Sequence, residues 1–132
     1  MHTHPLVQQV IENPPLCEKL SRNDALALVP LLVEEFHQRR LWPKDAAALI
    51  AACLPTDEQL TRLLKSDSER VQSLGLHVLE LLINSNKLEQ GSSATLALEV
   101  LRLLQTQAMR PKHKHLGRLT TWAESQVASS RL

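Results

Sequence analysis

Tyrosine is missing from this 132-residue chain, and only three aromatic side chains occur: Phe36, Trp42 and Trp122. Sheets of the sandwich or barrel kind draw on aromatic and β-branched residues. Here leucine and alanine carry the apolar content instead, which favours helix. Glycine is scarce too, at three positions, while seven prolines punctuate the chain. That balance fits helices joined by short turns. Two cysteines, Cys17 and Cys53, are too few for a disulfide framework and show no C-x-x-C spacing. Each stands beside a leucine, as small core residues of a reduced protein do. No apolar run approaches the ~20 residues that cross a membrane. The opening MHTHPLVQQV has neither the charged nor the apolar region of a secretory signal. The expected location is therefore intracellular, in cytoplasm or nucleus.

What is present suffices for one folded domain over 1–132, with 43% hydrophobic residues to build a core. The net charge of +1 hides an uneven spread. Residues 105–132 hold Arg110, Lys112, Lys114, Arg118 and Arg131 against Glu124, a local +4, and residues 1–104 sum to −3. A charged end of this kind marks either a partner-facing surface or a solvated helix face.

Helical periodicity and its interruptions can be followed along the chain. Leu6, Val7, Val10 and Ile11 form one apolar face, broken at Asn13-Pro14-Pro15, after which Leu16, Cys17 and Leu20 make a second short turn of helix. These short pieces over 1–22 read as an N-terminal cap. Asn23 is a candidate N-cap for a helix to about Arg39, with Ala25, Leu28, Leu32 and Phe36 inward. Pro30 must kink that helix or open a second one. Pro43 suits the first turn of the next, with Ala46, Leu49, Ile50, Cys53 and Leu54 on its apolar face. Thr56 and Gln59 have capping-box spacing before Leu60, Leu63 and Leu64. Ser66-Asp67-Ser68 then ends one helix and caps another, running from about Glu69 to Asn84. Its apolar face carries Val71, Leu74, Val78, Leu81 and Leu82, and Gly75 leaves room for a neighbouring helix. Beyond the polar connector 84–93, Ser92 or Ser93 caps a helix to about Met109. Ala97, Leu101, Leu104 and Ala108 line up on it, and Leu96, Leu98, Val100 and Leu103 make it apolar nearly all round. Pro111 breaks it, and a last helix over about 113–128 carries Leu116, Leu119, Ala123 and Val127, with a frayed end at 129–132.

These helices pair into units Asp24–Leu54, Asp57–Asn84 and Ser93–Ala128, a loose period in or just below the solenoid range. The unit LLKSDSERVQSLGLHVLELL resembles an armadillo or HEAT repeat, in which one helix ends at a Ser/Asp turn and the next packs back against it. LALVPLLVEEF, with its internal proline, is similar to helices of those repeats, and the resemblance covers residues 26–83 best. It implies an all-α fold: a short right-handed superhelical stack of helical hairpins, about six to eight helices. The same stretch also resembles the helical C-terminal domain of the katanin regulatory subunit. That resemblance implies binding to another protein or to the cytoskeleton, not catalysis.

Residues able to do chemistry are few. Glu34-x-x-His37 has di-iron spacing, but such sites need a second Glu-x-x-His and two more carboxylates, so an exposed helix face running Glu34, Glu35, His37, Gln38, Arg39 and Arg40 is the expected reading. His113 and His115, two apart, point to different sides of a helix, and His2 and His4 stand at the terminus. His77 reads as a boundary residue of its helix. Neither a G-x-S-x-G nor a P-loop spacing occurs. No catalytic residue, metal ligand or cofactor is assigned, and the chain reads as a protein–protein interaction scaffold. Its candidate partner-binding residues are Arg110, Lys112, His113, Lys114, His115 and Arg118, with Trp42 and Trp122 as aromatic anchors. An acidic or helical protein segment suits the basic group better than nucleic acid, because no aromatics interleave with it for base stacking. Nucleic-acid binding by 110–118 is the alternative. Replacing Val78 and Leu81 together by Asp should unfold the chain, because unpaired buried charge costs several kcal/mol. A helical double variant by circular dichroism would show that this face is not the core.

Overall fold

The computed structural model describes residues 5–85, 87, 94–105 and 116–130. Every regular element among them is helical. In chain order they are α1 (Pro5–Glu12), a 3₁₀ helix (Pro14–Lys19), α2 (Arg22–His37), α3 (Pro43–Ala52), α4 (Asp57–Leu64), α5 (Glu69–Asn84), α6 (Ala94–Leu104) and α7 (Leu116–Ser130). None is long and apolar enough to cross a membrane. The all-α expectation holds.

Helix boundaries follow from side chains that satisfy backbone groups. Ser21, not Asn23, caps α2: its hydroxyl accepts the Asp24 N–H at 3.2 Å, which places Asn23 inside the first turn. Pro30 neither splits nor ends α2; it stands inside the helix with its ring on the exposed side. Between α4 and α5, Ser68 accepts the Val71 N–H at 3.4 Å and Ser66 Oγ accepts the Ser68 N–H at 3.1 Å. Gln72 then donates to the Ser66 carbonyl at 2.6 Å, tying the two helix ends into one turn. The C-terminal carbonyls of two short helices take guanidinium partners. Arg22 donates to the Cys53 carbonyl at 2.9 Å, and Arg102 to the Leu64 carbonyl at 3.4 Å.

The chain divides into two compact units, Met1–Thr56 and Asp57–Leu132. In the first, α1 pairs with the 3₁₀ helix and α2 with α3, while α1 packs on α2 and the 3₁₀ helix on α3. In the second, α4 pairs with α5 and α6 with α7, while α4 packs on α6 and α5 on α7. Within each unit the leading packing is thus hairpin on hairpin, first helix on first and second on second. An up-and-down bundle would instead set the second helix beside the third.

Core positions follow the expected faces with local exceptions. Ala25, Leu28, Leu32 and Phe36 of α2 are buried, as are Ala46, Leu49 and Ile50 of α3 and Leu60, Leu63 and Leu64 of α4. Leu54 is not on the α3 face: it lies past the helix end at φ 52°, and is 38% exposed. On α5 the buried set is Val71, Leu74, Leu76, Val78, Leu79 and Leu82, while Leu81 is only half-buried. Val78 therefore carries the penalty expected of the paired aspartates. The buried stripe of α6 is Leu96, Ala97, Val100 and Leu103; Leu101 and Leu104 are half-buried and Leu98 is 53% exposed, so α4 and α7 leave one side of that helix open at Leu98. Its expected cap at Ser92 or Ser93 and its extension to Ala108 and Met109 lie outside the described residues.

Gly75 faces α4 at close range. A Cβ at this position would lie 2.9 Å from Leu64 Cδ2 and 3.0 Å from Leu63 Cβ. Alanine would gain about 1 kcal/mol of helix propensity, but crowding two buried leucines costs about 1–3 kcal/mol. Gly75→Ala is expected to lower the thermal midpoint by a few degrees, and Gly75→Leu to abolish the cooperative transition. A Gly75→Ala midpoint at or above wild type would show that α4 yields freely.

Candidate functional site

The turn between α2 and α3 is held by the one buried charged side chain among the described residues, Glu35. Arg40 folds back onto it: its Nε donates to Glu35 Oε2 at 2.6 Å and its Nη2 to Oε1 at 3.3 Å. The Arg40 backbone N–H also donates to the Glu35 carbonyl, at 2.9 Å. That forked, charge-assisted contact raises the Arg40 pKa, the hydrogen bond it donates to Glu35 being the main cause. The sequence reading of Glu35 and Arg40 as neighbours on an exposed helix face is corrected here. The carboxylate points inward, and the arginine lies beyond the helix end. Arg39 makes the reversal with a left-handed φ of 63°. Leu41 is thereby tucked in, and Trp42, which opens α3, is 75% exposed.

On the same unit lies a groove of about 250 Å³ lined by Ile11, Pro14, Leu41, Asp45, Ala48, Leu49 and Ala52. It exists because Ala48 and Ala52 leave α3 thin where α1 ends and the prolines begin the 3₁₀ helix. Asp45 is its only charged lining group. Small-molecule sites enclose roughly 300–1,000 Å³, so this groove matches one large apolar side chain better. Trp42 stands between Leu41 and Asp45 in the chain. A cleft of the second unit, about 540 Å³, is lined by Asp57, Glu58, Thr61, Arg62, Lys65 and Thr95. Its Glu58–Arg62 pair, 2.8 Å apart, is exposed on both sides, and the Thr61 hydroxyl donates to the Asp57 carbonyl at 2.7 Å. A solvated ion pair of this kind is worth only a few tenths of a kcal/mol. The cleft is a charged helix face.

Cys17 and Cys53 are both buried in the first unit, 3% and 1% exposed, on two elements that pack on each other. Burial pushes both thiols up, Cys53 to about 12, with the neighbouring Cys17 adding to the shift. Both are protonated at neutral pH, so neither is a ready nucleophile.

Of the partner-binding candidates read from the sequence, Trp42 is exposed in the first unit, and Trp122 is half-buried on α7 in the second. Arg118 falls in the first turn of α7; Arg110, Lys112, His113, Lys114 and His115 lie outside the described residues. Glu34 accepts a hydrogen bond from Gln38 at 2.9 Å, and His37 is exposed. Among the described residues, no three His, Cys, Asp or Glu side chains gather as metal ligands would. The groove escaped the sequence reading because its lining comes from three helical elements and a turn. Its one local signal was the alanine-rich run AAALIAA opposite a double proline.

No family model matches the chain, and no curated protein or solved structure is significantly similar to it.

Removing the guanidinium by Arg40→Ala would strand the Glu35 carboxylate. It should lower the unfolding midpoint and speed amide exchange over residues 38–42. Adding Glu35→Gln to that variant should recover part of the loss, because the stranded charge is gone. Equal exchange in wild type and Arg40→Ala would mean that the pair does not hold the turn.

Proposed function

We propose that the chain is a non-catalytic protein-interaction scaffold that takes a peptide or helical segment of a partner within a larger assembly. The observation that carries this reading is the apolar groove of the first unit, next in sequence to the exposed Trp42. A groove of this size suits one buried anchor side chain, and tryptophan is a frequent contributor to binding energy. Hairpins packed first helix on first and second on second are also what armadillo and HEAT-like repeats use. The basic segment holding Arg110, Lys112, Lys114 and Arg118 adds attraction for an acidic stretch of the partner. Cytoskeletal assemblies are one class of destination that the katanin-like helical pattern suggests.

The test is affinity capture from extract, with and without nuclease, using the wild-type chain and three variants. Ala48→Phe fills the groove from an exposed helix position, Trp42→Ala removes the exposed indole, and Lys112/Lys114/Arg118 reversal removes the basic charge. A nuclease-resistant protein should be lost at least about tenfold in Ala48→Phe and in Trp42→Ala, with unchanged circular dichroism. Charge reversal should weaken it and flatten its salt dependence. Undiminished capture by Ala48→Phe would remove the groove from the function. Partners that vanish with nuclease would replace the scaffold by a nucleic-acid-binding domain.

A further inference from the structure

The first unit holds two thiols that the scaffold reading does not use. Cys17 lies in the 3₁₀ helix and Cys53 at the C-terminal end of α3, two elements that pack on each other. Both are buried, 3% and 1% exposed, and they are near enough for each to affect the other's titration. A third group ties the place together, since Arg22 at the start of α2 binds the Cys53 carbonyl at 2.9 Å. We infer that Cys17 and Cys53 form a thiol–disulfide switch that staples the 3₁₀ helix to the end of α3.

A bond between them needs the two sulfurs to close to about 2.05 Å, which neighbouring side chains on two packed elements can do. The oxidant is a small disulfide of the glutathione class. One protein thiolate attacks a sulfur of that disulfide, whose S–S bond breaks and releases one small thiol, giving a mixed disulfide. The second protein thiolate attacks the mixed disulfide at the protein sulfur and expels the second small thiol. Two protein thiols thus become one disulfide, and the two electrons and two protons they lose leave on the two small thiols.

Access decides when this happens. With both thiols buried and protonated, exchange is silent while the unit is closed. The 3₁₀ helix is the element suited to open. It has six residues, begins with Pro14 and Pro15, which bring no N–H donors, and belongs to a helix type with weak hydrogen-bond geometry. Opening exposes Cys17, and oxidation then fixes the closed state. The staple spans the loop that contains α2 and α3. It also joins the two walls of the groove, Pro14 on one side and Leu49 and Ala52 on the other.

The deciding experiment equilibrates the full chain across a series of glutathione buffers, traps free thiols by alkylation and reads intact mass and digested peptides. The wild type should become two hydrogens lighter, carry no glutathione and yield a linked Cys17–Cys53 peptide. Its thermal midpoint should rise by at least about 5 °C on oxidation, and amide exchange over residues 14–19 should slow. Cys17→Ser and Cys53→Ser, each with one thiol left, should stop at glutathione adducts. The inference is overturned if the wild type stays reduced throughout, accumulates glutathione adducts without closing, or forms the linked peptide only after unfolding in denaturant. Because these readouts involve no partner, their failure is separable from failure of the scaffold reading.

Discussion

The second unit depends on how closely α5 can approach α4. Without tyrosine, and with three aromatic rings in the whole chain, its core is filled by leucine, valine and alanine. Such side chains are individually small, so cohesion comes from many short contacts, not from a few large rings. Gly75 lets the backbone of α5 settle against Leu63 and Leu64, and the same helix buries Leu76, Val78 and Leu79. The Ser66–Ser68 turn sets the geometry of that approach, since the caps and the Gln72 side chain fix where α4 stops and α5 begins. Local chemistry at the turn and the missing methyl on the helix act as one device.

The first unit solves a different problem: how to reverse direction between helices with few glycines. Arg39 and Leu54 each take the left-handed conformation usually left to glycine, at a cost of roughly 1–2 kcal/mol per residue. Each reversal is buttressed close by. Glu35 grips Arg40 on one side, and Arg22 holds the Cys53 carbonyl on the other. The outcome is a unit in which Leu41 is buried next to an exposed Trp42, and in which two thiols are buried on elements that pack on each other. Groove, tryptophan and thiol pair all rest on these two turns.

Periodicity and punctuation made the helices legible in the sequence. Prolines at 14, 15, 43 and 55 and the serines at 66 and 68 act through the adjacent backbone, so boundaries there can be read locally. Errors fell where tertiary context decides. Asn23 and Ser21 are both good caps, and only the path of the entering chain selects between them. Leu98 looks like core by composition but lies on the exposed side of α6. Glu35 could not be told from Glu34 by its neighbours, because its burial depends on an arginine returning from beyond the helix end. The meeting of Cys17 with Cys53 is equally non-local. Of the candidate site, Trp42 could be singled out in the sequence as one of three aromatics and is exposed in the structure, whereas the groove beside it in sequence needed three helical elements to be placed before it existed.

The scarcity of aromatics has a spectroscopic consequence. With no tyrosine in the chain, its near-ultraviolet absorption above the phenylalanine and cysteine bands belongs to two indoles, Trp42 and Trp122. One sits in each compact unit, the first in water and the second half-covered by protein. Their emission therefore starts from different environments. Each unit carries its own optical label, and the protein reports separately on its two halves without any dye attached.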